Sequence, residues 1–190
     1  MILMEFVSLA IPDVVLLTPK RFSDDRGYFS ETFRENWFRN NVADVGFVQE
    51  NQSLSVTRGT LRGIHFQAPG CPQGKLVRCL SGALLDVAVD LRRGSPTYGK
   101  WVSAKLTAEN GCQLWIPVGF GHAFCTLLPE TIVAYKVTDY YSPADDRGLA
   151  YDDPDLGIDW PFSADSLVLS EKDRKHPTLR ELPDYFLYSA

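Results

Sequence analysis

One stretch of the sequence, from Thr57 to Cys79, gathers side chains that could carry out proton transfer on a bound ligand. It contains Arg62 and His65, then a turn rich in glycine and proline, and then Lys75. Histidine has the side-chain pKa closest to neutrality, and the chain contains only three histidines. Two strands joined by this turn would bring a base, a cation and a phosphate ligand to one pocket. An ordinary strand histidine with a satisfied hydrogen bond is the competing interpretation of His65.

The spacing of Arg62 and His65 conflicts with a shared pocket on a regular strand. The two residues are three positions apart, and side chains an odd number apart point to opposite faces of a strand. Gly63 lies between them, and a β-bulge at that point would re-aim one of the two side chains. A common pocket therefore requires a bulge near Gly63.

A second chemical motif is the run Ile116-Pro-Val-Gly-Phe-Gly-His122, which resembles the second motif of the cupin superfamily of jelly-roll barrels. In metal-dependent cupins that histidine is a metal ligand, and a first motif adds a His-x-His pair and a glutamate. Here the segment around His65 offers a single histidine, and His176 lies in a proline-flanked tail with no ligand cluster around it. We therefore expect no metal site. His122 either binds an anionic group or is a buried structural histidine.

Two further segments carry candidate acids. Tyr135 should point to the strand face opposite Lys136. There it is either a packing tyrosine at a barrel rim or, buried beside a cation, a general acid. Asp173 ends the run Leu169-Ser-Glu-Lys-Asp173, which by itself is typical of a solvated polar turn. If Asp173 folds back onto His65, its carboxylate would fix the imidazole tautomer and raise its basicity.

Composition restricts the class of protein. A chain of 190 residues predicts one domain, residues 1–190, and 45% hydrophobic with 12% aromatic residues excludes disorder. The net charge of -5 argues against a nucleic-acid binder. The first ten residues lack a basic region, and no apolar run could span a bilayer, so we expect a cytoplasmic protein without membrane contact. The four cysteines form no Cys-x-x-Cys pair, which favours reduced thiols.

The pattern of elements predicts an all-β protein. Residues 34–42 are the one short-helix candidate, and residues 14–18 form a short apolar run closed by a proline, typical of an edge or exchanged strand. Many short strands with regular turns favour a sandwich or barrel. From Ser142 the chain should be mostly loop that packs back through aromatic side chains. The other predicted strands are residues 28–33, 47–56, 61–67, 75–80, 83–91, 101–106, 113–117, 122–127 and 131–140.

Taken together and in order, these segments closely resemble the dTDP-4-dehydrorhamnose 3,5-epimerase family. Each motif alone is weak, but the ordered set covers nearly the whole chain. The matching motifs include Phe22-Ser-Asp-Asp-Arg-Gly-Tyr-Phe-Ser-Glu31, Val48-Gln-Glu-Asn51, Leu61-Arg-Gly-Ile-His-Phe-Gln67, Gln73-Gly-Lys-Leu-Val-Arg78, Gly119-Phe-Gly-His122, Tyr135-Lys136, Tyr140-Tyr-Ser-Pro143 and Leu169-Ser-Glu-Lys-Asp173.

The resemblance implies a fold, a partner and a substrate. The fold is a cupin-type jelly-roll barrel with a few short helices and a long C-terminal loop region. The assembly is a homodimer with exchanged N-terminal strands, and the enzyme uses no cofactor. The substrate is a dTDP-4-keto-6-deoxysugar, whose C3 and C5 are inverted on the route to dTDP-L-rhamnose.

The resemblance also implies roles for four catalytic residues. His65 removes the protons that the C4 ketone acidifies, with Asp173 as its partner. Lys75 faces the negative charge that develops on the C4 oxygen. Tyr135 returns a proton on the opposite face of the sugar.

For substrate binding, the family pattern adds contacts to the nucleotide. Arg62 and His122 suit the diphosphate oxygens, and Tyr141 or Phe29 could stack on thymine. Arg26 and Glu31 lie near the exchanged N-terminal region, which leaves open which chain's site they serve. The full set of expected binding residues is Arg26, Phe29, Glu31, Gln49, Asn51, Arg62, Lys75, His122, Tyr141, Asp146 and Lys172.

Three rival functions remain open at this point. A C3-only or C5-only epimerase of an antibiotic-sugar pathway would keep the same base and acid. A metal-dependent cupin, such as a dioxygenase or sugar isomerase, lacks support from a His-x-His pair. A non-catalytic sugar-nucleotide-binding barrel would not need His65, Lys75, Tyr135 and Asp173 together.

Overall fold

The structure, a computed structural model, describes residues 4–189 and consists mainly of short antiparallel strands. No helix in this range is long and apolar enough to cross a membrane. The strands are β1 (Met4–Ser8), β2 (Val15–Pro19), β3 (Phe22–Asp24), β4 (Gly27–Phe29), β5 (Gln49–Ser55), β6 (Leu61–Gln67), β7 (Lys75–Ser81), β8 (Ala83–Asp90), β9 (Arg92–Arg93), β10 (Trp101–Thr107), β11 (Gln113–Ile116), β12 (Phe120–Thr126), β13 (Thr131–Val137), β14 (Asp146–Gly148) and β15 (Phe186–Leu187). The helix α1 spans Glu35–Asn41, and 3₁₀ helices span Ala164–Ser166 and Asp173–Lys175.

Two facing sheets form the barrel. The first has the strand order β1-β2-β11-β7-β13-β5, and the second has the order β10-β8-β12-β6-β14. Val77, Leu114 and Val133 from the first sheet pack against Leu84 and Phe124 from the second in the main core. The expected all-β jelly roll with few short helices is therefore confirmed.

Both faces of β8 in the second sheet are covered, which explains the nearly continuous apolar sequence of that strand. On β8, Leu84 and Ala88 face the barrel interior, whereas Val87 and Val89 pack into a second core on the outside. The C-terminal tail covers that outer face with Trp160 and other aromatic side chains. The indole Nε1 of Trp160 also donates a hydrogen bond to the Tyr151 carbonyl, at 2.8 Å. The tail thus packs back on the barrel as the sequence predicted.

Two predicted elements need correction. Residues 14–18 do not form an edge strand within the chain, because β1 pairs along β2 and occupies the edge. The strand predicted over residues 28–33 shrinks to β4, which pairs with β3 in a tight hairpin. The tail is mostly loop, as predicted, and its short strand β14 pairs with β6 beside His65 and continues the second sheet.

Candidate active site

The predicted bulge in β6 is present and brings Arg62 and His65 to the same cavity. The register between β6 and β12 shifts between His122 and Phe124. Gly63 has a φ of 125°, and a Cβ there would lie 2.5 Å from the Ala123 Cβ. Glycine is required on both counts, since side chains disfavour this φ and the space is already filled. After the bulge, Arg62 and His65 both line the cavity between the sheets.

His65 is held by a carboxylate from outside its sheet. Its Nε2 lies 2.5 Å from Asp173 Oδ1, and Asp173 is buried at the start of the second 3₁₀ helix. Ser170 Oγ accepts a hydrogen bond from the Asp173 backbone N–H, which fixes the turn. Because a carboxylate only accepts hydrogen bonds, it places the imidazole proton on Nε2 and leaves the lone pair on Nδ1. Asp173 therefore does fold back onto His65, the contact that the sequence left as a condition and that the family resemblance implied.

The electrostatics of this pair favour a neutral imidazole beside an ionised carboxylate. Burial lowers the pKa of His65, an effect that Asp173 opposes and that the positive charges of Lys75 and Lys172 reinforce. Burial would raise the pKa of Asp173, but its contacts with His176 and His65 outweigh this effect and hold that pKa below its usual value. His65 is therefore suited to accept a proton near neutral pH.

Lys75 supplies a buried cation next to His65. Its Nζ donates a hydrogen bond to the His65 carbonyl oxygen, at 3.3 Å. Burial lowers its pKa to about 8, while Asp86 and Asp146 act in the opposite direction. Near pH 7 the side chain remains mostly protonated, so it can stabilise a developing oxyanion.

Tyr135 faces the cavity from the opposite sheet. It packs against the main core, whereas its neighbour Lys136 points outward and pairs with Glu50 at 3.3 Å, as strand alternation predicted. Burial raises the pKa of Tyr135, although Arg62 and Asn51 act against this shift. The phenol thus keeps its proton and is available as an acid.

His65, Asp173, Lys75 and Tyr135 line a cavity with two lobes. The lobes have volumes of about 520 and 320 Å³, and His65, Lys75, Tyr135 and Lys172 line both. Arg62 and His122 lie in the larger lobe, together with Asp173. The smaller lobe holds four more of the predicted binding residues, Gln49, Asn51, Tyr141 and Asp146.

A hydrogen-bonded polar cluster lines the smaller lobe. Asp146 Oδ2 accepts hydrogen bonds from Lys172 Nζ and the Tyr141 hydroxyl. Burial would raise the pKa of Asp146, but these two partners outweigh it and lower that pKa. Gln49 accepts a hydrogen bond from the Tyr141 backbone N–H and donates one to Asn51 Oδ1. The cluster is pre-ordered to receive polar groups of a ligand.

His122 is a buried histidine that also lines the cavity. It is buried, with Nε2 2.6 Å from Asp86 Oδ1, yet its ring lines the larger lobe. Sequence reasoning missed Asp86, whose Oδ2 has no hydrogen-bond partner among residues 4–189. An aspartate in the apolar strand β8 was the available signal, because a buried charge needs a partner.

Three predicted binding residues do not reach this cavity. Arg26 pairs with Asp24 in the β3–β4 hairpin, and Glu31 pairs with Arg34. The Phe29 side chain is largely exposed. In the described part of this chain, none of the three lines either lobe.

His176 was wrongly placed away from any cluster. Its Nε2 lies 3.6 Å from Asp173 Oδ1, and its ring centroid is 5.6 Å from that of His65. The spacing of three residues was the missed signal, because His176 directly follows the single 3₁₀ turn that starts at Asp173, and that turn brings the two side chains together.

The corrected position of His176 raises the question of a metal ion. The ligand atoms of His65, Asp173 and His176 lie within 4.8 Å of one another. A metal would have to replace the 2.5 Å hydrogen bond between His65 and Asp173. Lys75 and Lys172 also add positive charge beside His65. The donor set therefore suits proton transfer better than cation binding.

A neutral imidazole held by a carboxylate, facing a protonated phenol and a buried ammonium, defines a class of enzyme. These groups can remove a proton from carbon, stabilise the resulting enolate and return a proton from another side. The jelly-roll fold and this site together define a proton-transfer isomerase.

The comparisons with known proteins identify the family. The family model for dTDP-4-dehydrorhamnose 3,5-epimerase matches residues 8–181. The dTDP-4-dehydrorhamnose 3,5-epimerase of Sinorhizobium fredii is 61% identical over 97% of this chain and 94% of the relative. The crystal structure of dTDP-6-deoxy-D-glucose-3,5-epimerase from Legionella pneumophila, in complex with dTDP-4-keto-L-rhamnose, superposes with a TM-score of 0.94 at 40% identity, covering 98% of this chain and 100% of that one. A 3'-monoepimerase from Streptomyces bikiniensis, in complex with dTDP-quinovose, gives a TM-score of 0.83 at 37% identity, covering 91% and 87%. The chain belongs to the dTDP-4-dehydrorhamnose 3,5-epimerase family.

Proposed function

We propose that this chain inverts C3 and C5 of dTDP-4-dehydro-6-deoxy-D-glucose and so produces dTDP-4-dehydro-L-rhamnose for dTDP-L-rhamnose biosynthesis. The observation that carries the proposal is the placement of His65 and Tyr135 on opposite walls of one cavity. His65 comes from β6 of the second sheet, and Tyr135 comes from β13 of the first. Inversion by proton transfer needs a base on one face of the sugar ring and an acid on the other.

The first step removes a proton from carbon. The ketone at C4 acidifies the C–H bonds at C3 and C5, since the electron pair left behind is delocalised onto the C4 oxygen. His65 accepts the proton, and the ionised Asp173 stabilises the resulting imidazolium.

The second step depends on charge stabilisation at the C4 oxygen. The enolate places negative charge there, and the buried ammonium of Lys75 lies beside His65 in the cavity wall. A cation in a buried site interacts with such charge more strongly than it would in water.

The third step returns a proton to carbon from the opposite face. Tyr135 donates its phenolic proton, which inverts the centre and leaves a phenolate. The phenolate and the His65 imidazolium then exchange protons with solvent, and this restores both groups for the second centre. Rotation of the ring within the cavity presents C3 and C5 to the same two residues in turn.

The remaining predicted residues would bind the nucleotide. Arg62 and His122 suit the diphosphate, and the Tyr141 ring suits stacking on thymine. Arg26, Phe29 and Glu31 are exposed or half-buried on the N-terminal segment, which supports a homodimer in which they complete the partner's site. Gln49, Asn51, Asp146 and Lys172 would contact the other polar groups of the substrate.

Proton NMR of dTDP-4-keto-6-deoxy-glucose in heavy water tests the proposal. Deuterium incorporation at both C3 and C5, with formation of the L-sugar, is the expected result. Exchange at one centre would favour an epimerase that acts at C3 only or C5 only. The likeness to the 3'-monoepimerase from Streptomyces bikiniensis supports this alternative. Absence of exchange at both centres would contradict proton chemistry on this substrate.

A further inference from the structure

His176 occupies a defined place behind the His65–Asp173 pair. Its side chain is only 10% exposed, and Nε2 points at Asp173 Oδ1 from 3.6 Å. That nitrogen has no hydrogen-bond partner in the described part of the chain. Asp173 Oδ1 therefore has two imidazole nitrogens directed at it, one from His65 and one from His176.

The sheet provides a seat for the His176 ring. Gly148 of β14 is the register partner of His65 on β6. A Cβ at Gly148 would overlap three atoms of the His176 ring, so the ring takes the space that a side chain would fill. His176 does not line either lobe of the cavity. It can act on the reaction only through Asp173 and His65.

We propose that His176 is a positioning residue that shares the Asp173 carboxylate with His65 and holds it in line with the base. A buried N–H without an acceptor is costly. The charged group that faces His176 Nε2 is the Asp173 carboxylate, with Oδ1 at 3.6 Å. A proton on His176 Nε2 would donate to Oδ1 and withdraw part of the negative charge that His65 otherwise receives. The inference rests on the proposed function, because it assigns His65 as the base.

Other charged groups also face His65 and affect its pKa. Asp173 and Lys172 approach from the C-terminal segment, Lys75 from β7 and Asp146 from β14. Across the ladder, His122 of β12 is the register partner of His65, and it is already paired with Asp86. Asp173 Oδ1, the oxygen that pairs with His65, is also the one that lies 3.6 Å from His176 Nε2.

A matched pair of variants separates sharing of the carboxylate from simple packing. His176→Phe keeps the ring volume beside Gly148 but removes the donor, whereas His176→Gln keeps an N–H near the position of Nε2. We expect His176→Phe to move the acid limb of kcat/KM upward by about half a pH unit, because Asp173 then gives its full charge to His65. We also expect kcat to fall more than KM rises. His176→Gln should retain the wild-type limb.

Two outcomes of this experiment would overturn the inference. One is a His176→Phe profile that superimposes on the wild-type profile. The other is an equal shift in both variants, which would show that ring packing alone matters.

Imidazole ¹⁵N NMR of the wild-type protein gives a second test. It does not depend on whether a variant folds, and it requires no measurement of turnover. With only three histidines in the chain, each ring can be assigned. We expect the His176 proton on Nε2, with a shift typical of a donor to a carboxylate. A proton on Nδ1 alone would overturn the inference, while the proposed function would still be judged by the heavy-water experiment.

Discussion

Two histidines of the second sheet each pair with a carboxylate, and the two pairs have nearly equal geometry but different surroundings. The Nε2 to Oδ1 distance is 2.5 Å between His65 and Asp173 and 2.6 Å between His122 and Asp86. The His65 side chain is 33% exposed, but that of His122 is only 7% exposed. Because the two histidines are register partners on β6 and β12, the difference does not come from separate regions of the fold.

The origin of each carboxylate explains the difference. Asp86 lies on β8 beside β12, two positions along from the residue opposite His122, so the ladder itself fixes the pair and buries both groups. Asp173 comes from a 3₁₀ helix outside the sheet and holds His65 from one side. A carboxylate within the sheet therefore buries its histidine in the cavity wall, whereas a carboxylate from outside the sheet leaves the imidazole of His65 partly exposed to the cavity.

The largest expected difference between the two pairs is the loss of kcat when His65, the proposed base, is replaced. His65→Asn should lower kcat roughly 10⁴-fold, at the upper end of the range for general-base catalysis. Deuterium exchange at C3 and C5 measures the loss directly. The matched variant His122→Asn should mainly raise KM, because His122 is proposed to bind the diphosphate. Equal loss of exchange in both variants would break the distinction between the pairs.

Replacement of the two carboxylates should separate catalysis from stability. Asp173→Asn keeps the shape of the side chain but reverses the tautomer preference of His65, so kcat should fall on the order of 10³-fold. Asp86→Asn should instead lower the free energy of unfolding by about 1–3 kcal/mol, since a buried charged hydrogen bond is weakened. Urea unfolding and steady-state kinetics on both proteins measure the two effects. A larger kcat loss for Asp86→Asn would contradict the assignment.

A third test concerns Tyr135, the proposed acid on the cavity wall opposite His65. Tyr135→Phe should slow epimerisation about 10²-fold, because no phenolic proton is returned. Exchange of the substrate protons with heavy water should persist, since His65 can remove a proton, exchange it with the solvent and return a deuteron to the same face. NMR separates exchange from inversion in one sample. If exchange and inversion were lost together, Tyr135 would not act only as the acid.

Much of this comparison could be predicted from the sequence, but not all of it. Alternation on β13 correctly placed Tyr135 and Lys136 on opposite faces of the strand. Gly63 correctly indicated the bulge, since periodicity alone would have separated Arg62 from His65. These predictions succeeded because each rests on local backbone geometry.

The missed residues depend on contacts between distant parts of the chain. Asp86 and His122 meet only because β8 and β12 are neighbours in the sheet. His176 reaches Asp173 beside His65 because β14 continues the second sheet with Gly148 as the seat for its ring. No spacing pattern specifies which strands are neighbours, and a three-residue strand such as β14 carries too little periodicity to be recognised.

The pH dependence should give the smallest effect and the finest distinction between the pairs. As the proposed base, His65 must be unprotonated, so kcat/KM should fall as the pH drops through its pKa, which burial places below the ordinary value of 6.5. Lys75 must be protonated, so kcat/KM should also fall as the pH rises through about 8. Each limb should amount to about tenfold per pH unit beyond its pKa. Lys75→Arg keeps the cation at all relevant pH values and should remove the alkaline limb while leaving the acid limb in place. If the alkaline limb survived in Lys75→Arg, another group would control it, and the charge on the C4 oxygen would need a different partner.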